Sequence, residues 1–220
     1  MIRYVLKYNI IEMVKINSLI HKITVMKYLL ILISIMIACN SQAQTRKKFN
    51  VGDSAFCGVI FWVEKTDTSG GQRALVCSVK DQSAATTWNN GSFVVTSATN
   101  DILFDRLNSE KIIQSQGNGK YAAILCRDMP ANDGLCNITD TLWYLPSLAE
   151  LKLIYQVLDS TKRMTFVKEG YWSSIEKNTR STGKKTTERK AWIVDFFSGK
   201  SFAVLKSNKY HIRAIREIRN

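Results

Sequence analysis

The sequence predicts an α+β domain with strands at its two ends and short helices between them. Three observations carry this. Dense apolar, β-branched runs occur at Cys57–Glu64 and Ala74–Val79 and again between residues 191 and 218. Between these ends, apolar residues recur at helical spacing over 109–127 and 148–158. Strands divided in this way have to pair across the chain, which brings the two ends of the domain together around one core. A domain of this length can bury a core of useful size.

A leader precedes the domain. Tyr28–Cys39 is an apolar run behind Met26-Lys27, short for a bilayer span and suited to the core of a secretory signal peptide. Residues 1–43 are therefore read as an upstream extension plus signal peptide. Met26 serves as the true start, with a long basic n-region as the alternative. Two exits stay open. Ser41-Gln42-Ala43 is a small-x-small site that leaves a mature chain beginning at Gln44, whereas Ile37-Ala38-Cys39 resembles the end of a lipobox and puts a lipid on Cys39. Either exit exports the chain, as an outer-membrane or cell-surface lipoprotein or as a periplasmic or secreted protein. Membrane contact is expected only through that lipid.

Residues 44–50 form a short polar linker, and residues 51–220 form the domain. Cys57–Glu64 reads as a strand, Thr68–Gly71 supplies turn chemistry, and Ala74–Val79 returns. Asp81–Val95 reads as mostly loop, with Trp88, Asn90 and Gly91 marking a tight excursion. Ser109–Gln116 and Lys120–Arg127 read as short helices divided by Gly117-Asn118-Gly119. At residues 143–151, WYLPSLAEL, Pro146 keeps Leu145 extended, and Ser147 with Glu150 makes a capping box. Leu148, Leu151, Ile154, Tyr155 and Leu158 then share one helical face. YWSS (171–174) reads as a core strand. Ala191–Phe197 and Ser201–Leu205 flank the turn Ser198-Gly199-Lys200 as a hairpin. HIRAIREI (211–218) reads as one half-buried terminal strand, with Ile212, Ala214 and Arg216 alternating against Arg213, Ile215 and Glu217.

Export changes how the cysteines read. Beyond Cys39 there are Cys57, Cys77, Cys126 and Cys136, an even number in an oxidising compartment. They imply disulfides of undetermined connectivity, with buried free thiols as the alternative. No two have C-x-x-C spacing, and His211 is the only histidine after residue 43, so neither a metal site nor a cofactor is expected.

With the leader removed, 26 Lys/Arg stand against 17 Asp/Glu, a net of +9. A cytosolic chain of that charge would point to nucleic acid. In an exported chain the attraction is to acidic polysaccharide or an anionic envelope surface, and no nucleic-acid partner is expected. Much of the excess lies in EKNTRSTGKKTTERK (176–190), where Lys177, Arg180, Lys184, Lys185, Arg189 and Lys190 face Glu176 and Glu188. Such a loop can surround sulfate or carboxylate, Arg forking bidentately and Lys acting as a point charge; a solvated surface loop is the bland alternative. Trp88 sits in the turn-rich TTWNNGS and is the candidate for stacking on a sugar ring. Trp62, Trp143, Trp172 and Trp192 read as core. His211, Asp195 and the Ser173-Ser174 pair, which lacks nucleophile-elbow glycines, read as structural, so no enzymatic activity is expected.

The succession VGD, GVIFWV, ALVCSVKDQS, TTWNNGS, IIQSQGNGKYAAILC, WYLPSLAEL, YWSS, AWIVDFFSG and RAIREI, from about Val51 to Ile218, resembles the Lcl C-terminal domain family of exported bacterial domains. The resemblance implies a C-type-lectin-like fold related to formylglycine-generating enzymes, in which a Leu-Pro step like Leu145-Pro146 introduces a helix. The family's namesake is an adhesin domain that binds sulfated polysaccharides. Cys77 and Cys126 match cysteines common in relatives, which implies that they pair with each other and Cys57 with Cys136. Two activities of related folds do not carry over. Formylglycine-generating enzymes use a cysteine pair late in the domain, and no cysteine follows Cys136. Calcium-dependent lectins use Glu-Pro-Asn or Gln-Pro-Asp with Trp-Asn-Asp; here Pro130 and Pro146 lie in MPA and LPS.

The expectation is an exported, non-catalytic recognition or adhesion domain that binds an anionic polysaccharide through its basic loop. The alternative is a structural or assembly module of the cell envelope that binds another protein and has no glycan site. Oligomeric state stays open.

Overall fold

The computed structural model describes residues 2–40, 48–65, 71–92, 94–99, 101–104, 106–129, 143–177 and 189–220. The chain divides into two compact units, Met1–Arg46 and Lys47–Asn220. In the first, α1 (Ile2–Asn40) is one helix. No proline or glycine interrupts it, so helical geometry extends upstream of the apolar run at 28–39. Within it, the 20 residues Lys15–Ser34, of mean hydropathy 1.5, are long and apolar enough to cross a membrane by length and composition. A signal sequence has the same character.

The second unit is α+β, as predicted. In chain order it contains β1 (Ser54–Ala55), β2 (Gly58–Lys65), β3 (Gln72–Ser78), β4 (Ser83–Thr86), α2 (Leu107–Gln116), α3 (Ala122–Arg127) and α4 (Leu148–Ile154). There follow β5 (Gly170–Glu176), β6 (Lys190–Asp195), β7 (Ser201–Leu205), β8 (Tyr210–Ile212) and β9 (Ile215–Arg219). One sheet has the order β1-β2-β3-β9 and the other β4-β8-β5-β6-β7. The predicted meeting of the two ends is the β3–β9 pair, antiparallel from Arg73↔Arg219 to Cys77↔Ile215. In the second sheet β5 and β8 run parallel at Tyr171↔His211, and the other neighbours are antiparallel.

β3 is covered on both faces. Ala74 and Val76 enter a cluster with Trp88, Trp143 and Trp172, while Leu75 and Cys77 enter another with Leu151, Tyr171 and Phe196. That is why ALVCSV is apolar without alternation. α4 begins at the predicted capping box: Glu150 N–H donates to Ser147 Oγ at 3.2 Å, and Ser147 N–H donates to Glu150 Oε2 at 2.7 Å. Leu148, Leu151 and Ile154 are buried, and α4 runs on into a π-helical turn at Tyr155–Asp159.

Three expectations are corrected. Ser83–Thr86, read as loop, forms β4 against β8. The terminal segment is two strands in different sheets, broken at Arg213-Ala214. The Arg213 guanidinium explains the break: Nη1 donates to the Ser78 and Val79 carbonyls at 3.0 and 2.7 Å, and Nε to Asp81 at 2.6 Å. With Arg213 through Arg216 all buried, the expected inside–outside alternation disappears. Finally, Cys77 and Cys126 are free, buried thiols and not a bridge. They belong to the clusters on opposite faces of the first sheet, Cys126 with Trp88 and Cys77 with Tyr171. Burial pushes the Cys77 thiol up to about 12 and raises Cys126 as well, so both stay protonated. Cys57 is disulfide-bonded. Its expected partner, Cys136, lies outside the described residues.

Candidate functional site

The basic loop leaves the second sheet at the end of β5 and returns at the start of β6. Both ends are fastened. Lys177 N–H donates to the Lys190 carbonyl at 3.0 Å, and Lys206 N–H donates to the Arg189 carbonyl at 2.7 Å. Of the predicted anion-binding residues, Lys177 is half-buried at this foot, and Arg189 and Lys190 are exposed beside it. Arg180, Lys184 and Lys185 lie outside the described residues.

Beneath the foot is a buried ion pair that the sequence reading did not find. Lys206 Nζ contacts Glu176 Oε1, and both side chains are excluded from solvent. Glu176 Oε2 accepts hydrogen bonds from Thr96 N–H at 2.9 Å, Thr96 Oγ1 at 3.2 Å and Ser97 N–H at 3.1 Å. The carboxylate thereby ties the 94–99 segment to the base of the loop. A buried pair holds only when its remaining polar atoms are also satisfied, and here the backbone donors do that. Nothing in the local sequence reports it, because Glu176 and Lys206 meet only through sheet pairing.

Trp88 packs beneath the loop foot, against Lys206, and is not a sugar platform. It is fully buried. Its ring lies 4.4 Å from Lys206 Nζ, and its Nε1–H donates to the Ser173 carbonyl at 2.8 Å. A desolvated ammonium attracts an aromatic face strongly, which draws the indole inward from an otherwise polar turn. Trp192, read as core, is half-buried, as is Trp62. On the β6–β7 hairpin Lys190 stands opposite Leu205 and Trp192 opposite Ala203, so these four share one face of the sheet. Lys177 Nζ sits 5.8 Å from the Trp192 ring centroid. The structure therefore gathers Lys177, Lys190 and Trp192 at one place, with the exposed Arg189 next to Lys190 in the chain, and leaves Trp88 out of it. The signal available beforehand was period 2: Lys190 and Trp192 lie on the same side of a strand.

The residues considered for catalysis are engaged elsewhere. Asp195 accepts hydrogen bonds from Phe197 N–H at 3.1 Å and Ser198 Oγ at 2.5 Å in the hairpin turn. Partial burial raises its carboxyl, but these bonds outweigh that and hold it below the usual carboxylate range. Ser173 Oγ donates to the Trp192 carbonyl at 2.9 Å, and Ser174 is buried beside Asn108. His211 Nδ1 lies 2.8 Å from Asp81 Oδ2, and its Nε2 lies 3.3 Å from Glu169. Asp81 also accepts from the Tyr171 hydroxyl at 3.0 Å and from Arg213, which makes a buried polar tie between the sheets. Burial, with Asp81 alongside, raises the Tyr171 phenol, so it stays a donor.

Compared with known families and curated proteins, the chain matches no family model and no curated protein.

Proposed function

We propose that this is an exported, non-catalytic recognition domain that holds an anionic polysaccharide, sulfated or carboxylated, at the foot of its basic loop. The observation that carries the proposal is the half-buried Trp192 with Lys177 above its ring, beside the exposed Arg189 and Lys190. An indole face offers apolar area to a sugar ring, and the cations answer its acidic substituents. In this reading Arg180, Lys184 and Lys185 extend the same charge. Support also comes from the net of +9 over residues 44–220 and from the resemblance to the Lcl C-terminal domain family, with its C-type-lectin-like fold and sulfated-polysaccharide adhesin. The apolar helix at the N-terminus is compatible with export, by cleavage after Ala43 or lipidation at Cys39.

The test is binding of the full chain to sulfated, carboxylated and neutral polysaccharides. The acidic glycans are expected to bind and the neutral ones not. Trp192→Ala should weaken binding roughly tenfold, the loss of about 1.4 kcal/mol of ring contact. Equal binding of neutral glycans, or none of the acidic ones at low salt, contradicts the proposal.

A further inference from the structure

The ion pair under the loop foot is placed for a covalent reaction. Lys206 Nζ contacts Glu176 Oε1, and both side chains are sealed from solvent. The backbone that carries each of them is fixed. Glu176 N–H donates to the Ala98 carbonyl at 2.7 Å, Lys206 N–H donates to the Arg189 carbonyl at 2.7 Å, and the Lys206 carbonyl accepts from Trp88 N–H at 3.0 Å. The Trp88 ring, 4.4 Å from Nζ and fully buried, closes the pocket on that side. An amine held against a carboxyl group in this way meets it at a high effective concentration.

The other carboxylate oxygen has the surroundings that an oxyanion needs. Glu176 Oε2 accepts from two consecutive backbone N–H groups, those of Thr96 and Ser97, at 2.9 and 3.1 Å, and from the Thr96 hydroxyl at 3.2 Å. Ser97 is held at φ 56°, a conformation that serine seldom adopts. Donors preset around one oxygen stabilise the negative charge that gathers there when a nucleophile adds to the carboxyl carbon. The same three bonds suit the carbonyl oxygen of an amide. Condensation therefore removes two charges from a dry pocket, where keeping them is costly, and leaves the donors to Oε2 satisfied.

We propose that Lys206 and Glu176 condense to an amide, a cross-link that joins the last residue of β5 to the residue after β7, across β6. Nζ first passes a proton to Oε1, which leaves an amine and a carboxylic acid. The amine lone pair then attacks Cδ, and the C=O π pair moves onto Oε2 among its three donors. A second proton moves from nitrogen to Oε1, the Cδ–Oε1 bond breaks, and Oε1 leaves as water. An Nζ–Cδ bond has formed, nothing is oxidised or reduced, and no co-reactant is consumed. The bond closes a ring through residues 176–206 that contains the whole basic loop. It stands whether or not that loop binds a glycan.

The test is mass spectrometry of the full chain, unfolded and reduced. The wild type, purified folded, should be lighter by one water than its residues and termini require, and Lys206→Met should have its full mass. Proteolysis of the wild type should release a branched peptide that joins the segment around Glu176 to the segment around Lys206, a result that needs no variant to fold. Protein recovered unfolded from inclusion bodies should lose the water only as it refolds. Thr96→Val, which removes one donor to Oε2, should slow that loss roughly tenfold or more. Three results overturn the proposal: a folded wild type of full mass, a water loss that Lys206→Met retains, or a branched peptide that joins other residues. An equal rate in Thr96→Val would overturn the role given to Oε2.

Discussion

At Glu150 local sequence and tertiary burial part company. The capping box was legible, since Ser147 and Glu150 stand at the required spacing, but nothing nearby in sequence says that the carboxylate will be sealed beneath Phe104 and Tyr144. Burial pushes its pKa up to about 7, even though hydrogen bonds from Ser147 N–H, the Tyr144 hydroxyl at 2.9 Å and Phe104 N–H at 2.9 Å favour the ionised form. The folded value lies above the unfolded one, so the group's contribution to stability is complete below pH 4.5 and is lost as pH rises through 7. That loss amounts to about 3 kcal/mol. Urea unfolding of the wild type and Glu150→Gln across this interval should show the wild type losing stability relative to the variant by roughly that amount. Parallel pH profiles would contradict the assignment. The tryptophans show the same divide. Composition put Trp88 in a polar turn and Trp192 in an apolar strand, yet exposure was decided by Lys206, far along the chain, and by the face of β6. Trp88→Ala should therefore cost about 3–5 kcal/mol in denaturant unfolding. Trp192→Ala should leave stability much less affected while weakening glycan binding.

Among the elements, the loop foot shows why a candidate site can be half legible. Its charge was plain in residues 176–190, and the hairpin of β6 and β7 followed from apolar runs around Ser198-Gly199-Lys200. The support under it was not, because Glu176 ends one strand, Lys206 follows another, and Thr96 and Ser97 come from a segment between elements. Lys206→Met should cost about 3–5 kcal/mol, since it strands a buried carboxylate. Replacing both Lys206 and Glu176 with Met should recover part of that loss, as buried pairs are often matched by apolar residues. A double variant no more stable than Lys206→Met alone would show that the Thr96 and Ser97 contacts to Glu176 dominate. The break at Arg213-Ala214 was equally hidden. Alternation in HIRAIREI mimics one strand, and only the Ser78 and Val79 carbonyls and Asp81, all distant in sequence, reveal where Arg213 turns the chain.

For the whole molecule, the α+β order and the pairing of the first and last strands followed from where the apolar runs lie, because separated strand pairs have few ways to close. Register, the second sheet's parallel β5–β8 contact and the fate of Cys77 and Cys126 did not, since each depends on which face of a strand meets which cluster. Charge was legible as a total and only partly as a place. The central claim is that this charge acts at Lys177, Arg189 and Lys190 beside Trp192. The most direct measurement is the affinity of the full chain for a sulfated polysaccharide across a salt series, for the wild type and for Lys177→Ser, Arg189→Ser and Lys190→Ser combined. Exposed charges are screened within about 8 Å at physiological ionic strength, so the wild-type affinity should fall steeply with salt. The triple variant should bind weakly and lose most of that salt dependence. Equal affinities and equal salt slopes for the two proteins would contradict the account and place any glycan contact elsewhere on the surface.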